Sequence, residues 1–134
     1  MAYDVARNLQ PEWEQHRDQL SDAMQGYLER AHTIRAAERE QAEALAETCR
    51  AQLSEALAGY DALLVPAALG EAPRREEGHT GDPVFCRAWT FLGVPAISVP
   101  GMTGPAGLPV GLQLVGLDEA GVLRAASRVE AELA

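Results

Sequence analysis

An α/β or α+β layered fold, with helices packed on a few strands, is predicted by three patterns in the sequence. Apolar residues recur at helical spacing from about Pro11 to Ala58 and again after Asp118. Two short apolar runs, Ala96–Val99 and Val110–Val115, lie within GVPAISVPGMTGPAGLPVGLQLVG, separated by a Gly- and Pro-rich connection that cannot be helical. A third run, Asp61-Ala62-Leu63-Leu64-Val65-Pro66, is closed by proline, as a buried strand would be. The order helix, helix, strand, helix, strand, strand, helix gives a layered pattern. We read residues 1–134 as one domain, a helical region over 1–59 followed by a strand-helix-strand-strand-helix region over 60–134.

The elements follow in order. Trp13, Leu20, Met24 and Tyr27 fall on one face of a helix from about Pro11 to Leu28, with the proline in the first turn, where its missing N–H costs nothing. A second helix, about Arg35 to Ala58, carries the stripe Ala42, Leu45, Cys49, Leu53, Ala56 and Leu57, and Gly59 ends it. From Ala67 to Gly81 periodicity stops, and a connection of that length in a compact domain is often functional, which marks it as a loop bordering a binding site. Asp82-Pro83 reads as an N-cap and first-turn proline, leading into Phe85, Ala88, Trp89 and Leu92 at helical spacing. Asp118 caps a last helix bearing Val122, Ala126, Val129 and Leu133.

Composition narrows the chemistry. The formal charge is -9, from 11 basic and 20 acidic residues, which disfavours nucleic acid and anionic membrane as partners. No stretch approaches the roughly 20 apolar residues of a membrane span, and the start lacks a signal-peptide layout, so the expected location is cytoplasmic. Every basic residue is arginine, and without lysine no lysine general base is available within these residues. His16, His32 and His79 form no metal-ligand spacing with Cys49 or Cys86, so no metal is expected. Cys86, in the first turns of its helix and seven residues after His79, reads either as a small buried hydrophobe or as a nucleophile paired with that histidine. Ser21, Ser54, Ser98 and Ser127 sit in no Gly-x-Ser-x-Gly elbow.

YDALLVPAALGEAP, then TGDPVFCRAWTFLGVPAISVPGMTGPAGLPVGLQLVG, then DEAGVLRAASRVEAEL resemble, in that order, the C-terminal part of an amidase signature enzyme. Tyr60, Asp61, Pro66, Thr80, Gly81, Trp89, Gly93, Pro95, Pro100, Pro109, Gly111, Gln113 and Gly116 are among the matching positions. The resemblance is strongest from Tyr60 onward, and the two N-terminal helices are similar to the helical region preceding that strand. It implies an α/β fold with helices covering a mixed central sheet, hydrolysis or transfer at carboxamide C–N bonds, and no metal or organic cofactor. In the family a serine nucleophile, a serine held in a cis peptide and a lysine do the chemistry from the N-terminal half. No catalytic residue is therefore carried over onto this chain, which is expected to be a C-terminal segment inactive alone.

The matching half of such enzymes supplies pocket walls, which makes Asp82, Cys86 and Trp89 the substrate-binding candidates. Cys86 stands where relatives often carry Asn or another small polar residue. The expected partners are a second copy of the chain or a complementing N-terminal half, with an amide substrate once completed. The alternative is a non-catalytic interaction or scaffolding module built on the amidase fold.

Overall fold

The computed structural model describes residues 1–133, which form two compact units, the first over residues 1–48 and the second from residue 49 onward. The first unit holds α1 (Ala2–Asn8), α2 (Gln10–Gln15), α3 (Asp22–Ala31) and the first part of α4 (Ala36–Ala56). Its core is Ala6, Leu28 and Ala31, with Val5, Leu9, Trp13, Leu20 and Tyr27 packed around them. The Trp13 ring carries the Arg17 guanidinium 4.0 Å from its centroid and stacks with the His32 imidazole at 5.2 Å.

The single helix expected over Pro11 to Leu28 is two. α2 stops at Gln15, a short 3-10 turn covers Arg17–Gln19, and Leu20 is extended. The break has a local cause: Ser21 is an N-cap whose Oγ accepts the Met24 N–H at 3.3 Å. A serine that can satisfy an orphan helical donor starts a helix better than it continues one. The register then moves, so that Leu28 is fully buried and Met24 is exposed. α4 shows a similar adjustment. Ala46 and Leu57 are the buried positions along it and just past its end, Ala42, Cys49 and Leu53 are half-buried, and Leu45 faces solvent.

The second unit is built on β1 (Leu63–Pro66), β2 (Ala96–Thr103) and β3 (Pro109–Val115), in the order β1-β3-β2. Both pairings are antiparallel, so the sheet that the resemblance describes as mixed is antiparallel in the part supplied by the described residues. Side-chain alternation sends Ile97, Val99, Leu112 and Leu114 to one face, where α6 (Glu119–Leu133) covers them with Val122, Ala126 and Val129. α6 is capped as expected, with Asp118 Oδ1 accepting the Gly121 N–H at 2.8 Å. The opposite face carries Leu63, Val65, Gln113 and Val115.

Backbone bonding follows the same parity. The Gly116 N–H donates to Pro95 C=O and the Ala67 N–H to Gly111 C=O, both at 3.1 Å. Even-numbered residues of β3 therefore bond β2, and odd-numbered ones bond β1. Pro100 faces Gly111 at a pair that exchanges no hydrogen bond, so its missing N–H costs the ladder nothing, and a bulge follows between Pro100 and Met102.

Candidate functional site

Two segments without regular periodicity meet at the start of β3: the β2–β3 hairpin, and the connection that leads from β1 to the helix α5 (Val84–Leu92). Between them lies an open groove of about 490 Å³, whose lining includes Leu69, Glu71, His79, Asp82, Pro109 and Gly111. Glycine at 111 is what lets the connection approach, since a Cβ there would stand 3.3 Å from the Ala67 Cβ. Glu71 locks the other side: its carboxylate accepts the Ala106 and Leu108 N–H groups, each at 2.9 Å, and so ties the connection to the hairpin loop. The stretch expected as a loop bordering a binding site lines this groove over Ala68–Pro73 and His79–Gly81.

Asp82 lines this groove but does not cap α5. The N-cap is Pro83, whose carbonyl takes the Arg87 N–H at 2.8 Å, and the Asp82 carboxylate lies 3.4 Å from Arg87 Nη2. A proline N-cap has no side-chain acceptor, so the position after the aspartate, not the aspartate, sets the first turn. α5 ends at Gly93, which adopts the left-handed conformation (φ 64°) that only glycine takes without strain.

Cys86 is half-buried, in the first turn of α5 and over the face of the sheet that α6 leaves open. Its thiol donates to Ala67 C=O at 3.7 Å, and its sulfur accepts the Gln113 Nε2–H at 3.8 Å. His79 is engaged elsewhere: Nδ1 accepts the Gly81 N–H at 3.0 Å, and Nε2 lies 3.4 Å from Glu77. No hydrogen bond joins His79 to Cys86, so the Cys/His pairing allowed by the sequence is not assembled. Trp89, one turn beyond Cys86 on α5, is half-buried with its indole Nε1 shielded from solvent and without a hydrogen-bond partner.

Gln113, which the sequence did not single out for the site, is the buried polar residue of this face, 6% exposed. Its Oε1 has no partner. The available signal was a lone polar residue inside the apolar run Val110-Gly111-Leu112-Gln113-Leu114-Val115, at the parity that faces away from Leu112 and Leu114. Among the described residues, no group of three or more His, Cys, Asp and Glu side chains is arranged to hold a metal ion, and no helix is long and apolar enough to cross a membrane.

The family described as Amidase matches residues 2–121. A glutamyl-tRNA(Gln) amidotransferase subunit of Rickettsia bellii (strain RML369-C) is 40% identical over 87 residues, covering 58% of this chain and 17% of the relative. The corresponding mitochondrial protein of Mus musculus is 41% identical over 66 residues, covering 43% of this chain and 13% of the relative. A crystal structure of an amidase superposes with a TM-score of 0.83 at 29% identity, over 99% of this chain and 33% of that one. A bacterial aryl acylamidase of the amidase signature family shares the fold, with a TM-score of 0.68 at 22% identity. The chain thus spans less than a fifth of these curated relatives and about a third of these structures. With the family pattern extending over nearly all of its length and its strands in the amidase arrangement, the chain belongs to the amidase signature family.

Proposed function

We propose that this chain is the C-terminal wall of an amidase acting at a carboxamide C–N bond, with the nucleophile and base supplied from outside these 134 residues. The groove carries this reading. It is lined by residues of the two family motifs, TGDP and GLPVG, and Asp82 stands on its lining, whereas Cys86 and Trp89, carried on α5, are outside that lining. The residues present do not supply the family's chemistry by themselves, because none is lysine and no serine lies in a glycine- and serine-rich loop. Names of the relatives, amidotransferase and amidase, support carboxamide chemistry.

The open edge of β2 supports completion by further chain. Bonding parity turns the backbone groups of Ala96 and Ser98 away from β3, and β2 is one of the two outer strands. Exposed Met102 continues the uncovered surface. An unpaired edge and apolar surface of this kind are expected to associate with another chain. The test is an amide-hydrolysis assay of the chain alone and mixed with a separately produced N-terminal portion of the amidase it superposes on, alongside sedimentation of both samples. Activity confined to the mixture supports the reading. Turnover by the chain alone overturns it, and a mixture with neither activity nor association points to a non-catalytic module.

A further inference from the structure

His32 is the C-cap of α3, and both of its ring nitrogens face hydrogen-bond acceptors. Nδ1 lies 2.7 Å from Leu28 C=O, one turn back on α3, and Nε2 lies 2.9 Å from Gln10 Oε1 on α2. The backbone carbonyl can only accept. The Gln10 amide is oriented as well, because its Nε2–H donates to the Glu14 carboxylate and leaves Oε1 toward the imidazole. A neutral imidazole has one N–H and would set a ring lone pair against one of these oxygens, whereas the imidazolium donates to both. Both separations fall in the range of charge-assisted bonds.

Two further features favour the charged ring. The carbonyl end of a helix attracts positive charge, and His32 stands at that end of α3. The Trp13 ring stacks on the imidazole with centroids 5.2 Å apart, where an imidazolium gains a cation–π contribution. The charged and titratable groups around it are mixed. From α1, Tyr3 and Arg7 line a small hollow beside His32, and from α2, Glu14 bonds Gln10. Arg17 sits 4.0 Å from the Trp13 centroid and is paired with Glu29 of α3. Arg30 lies in the last turn of α3, and Arg35, just before α4, is paired with Glu38. Arg7, Arg17 and Arg30 oppose a charge on His32, but all three are exposed, so solvent and salt screen their repulsion, whereas the two hydrogen bonds are direct.

We propose that His32 is a proton-operated clasp that holds the end of α3 to α2. Protonated, one ring ties Leu28 to Gln10; on losing a proton it must release one of them. Folding then takes up a proton at this residue in the neutral range, since an imidazole free in the unfolded chain is mostly neutral above about pH 6.5. A folded state that holds more protons than the unfolded one loses stability as pH rises. The first unit is therefore tightened by mild acid and loosened by mild alkali, by about fivefold in its folding equilibrium, the worth of one net hydrogen bond.

The test compares urea unfolding of the full chain with that of His32→Gln at about pH 5.5 and about pH 8.5, either side of the ordinary imidazole range. Trp13 fluorescence in a Trp89→Phe background follows the first unit, and ring 15N spectra of the unmodified chain count the protons on His32. The advantage of the histidine over His32→Gln is expected to be about fivefold greater at the lower pH, and Gln10→Leu should lose most of that dependence. At about pH 7, where most imidazoles of the urea-unfolded chain carry one proton, the His32 ring of the folded chain should still carry two. An advantage of equal size at both pH values, or a folded-state ring with one proton at about pH 7, overturns the inference. The ring spectrum needs no variant, so it decides even where a substitution prevents folding.

Discussion

Glu71 and Leu108, 37 residues apart, are joined by a 2.9 Å hydrogen bond from the Leu108 N–H to Glu71 Oε1, and the same carboxylate takes the Ala106 N–H. One acidic side chain thereby holds the β2–β3 hairpin loop against the β1–α5 connection and shapes one end of the groove. Bonds from backbone amides to a carboxylate are stronger than neutral ones, and this pair is partly open to solvent. Glu71→Ala is therefore expected to lower stability by about 1–2 kcal/mol. Urea denaturation measures the loss, and hydrogen exchange should show faster exchange confined to Ala106, Leu108 and their neighbours.

Gly104 is coupled to the same carboxylate. A Cβ at that position would overlap the Glu71 side chain, so Gly104→Ala must displace it. The expected cost is about that of removing Glu71, and the two changes should not add. A double-mutant cycle with Glu71→Ala checks this: the Gly104→Ala penalty should shrink to a few tenths of a kcal/mol when Glu71 is already gone. A full penalty in both backgrounds would place the strain in the backbone rather than at Glu71.

Residue periodicity made the sheet and its covering helix legible. Val122, Ala126 and Val129 face Val99 and Leu114 because alternation in the strands and 3.6-residue spacing in α6 leave one solution for burying both. The helix break at Ser21 was not legible, because the apolar residues before and after it happen to keep a single helical phase while the serine hydroxyl decides the outcome locally. At the site, Asp82, Cys86 and Trp89 were reachable through motif order, Glu71 was not, and Gln113 left only the trace of a lone polar residue in an apolar run. Their roles depend on which strand parity faces the groove and on a hairpin loop brought back across 35 residues, and both are properties of register rather than of local sequence.

Gly116 and Val122 offer a test of how tightly α6 closes on the sheet. A Cβ on buried Gly116 would stand 2.5 Å from Val122 Cγ2, a contact that requires movement of the helix or of the valine. Gly116→Ala is expected to destabilise the chain by about 1–3 kcal/mol, the range for overpacking a close-packed interior. Val122→Ala alone costs core packing, but in the Gly116→Ala background it removes the clash and should recover part of the loss. Thermal unfolding of the four proteins of the cycle measures the recovery, and a purely additive result would show that α6 had shifted instead.

Asp4 and Arg39 connect α1 to α4 within the first unit, with Arg39 Nε donating to Asp4 Oδ1 at 2.8 Å. The hydrogen bond from Arg39 is the largest cause holding the Asp4 carboxyl below its ordinary pKa, and it raises that of Arg39 in turn. A carboxylate whose folded pKa lies below its unfolded one adds stability that is present above the unfolded value. That contribution is lost as pH falls through the lowered folded value. Asp4→Asn should therefore be less stable than the unmodified chain at neutral pH, and the gap should close on acidification below about pH 4. Both side chains are substantially exposed, so the gap is expected to be small and to narrow further in high salt. Urea midpoints followed by Trp13 fluorescence in a Trp89→Phe background, at neutral and acid pH, measure it; a gap of the same size at both pH values would show that the Asp4 charge is not what the substitution removes.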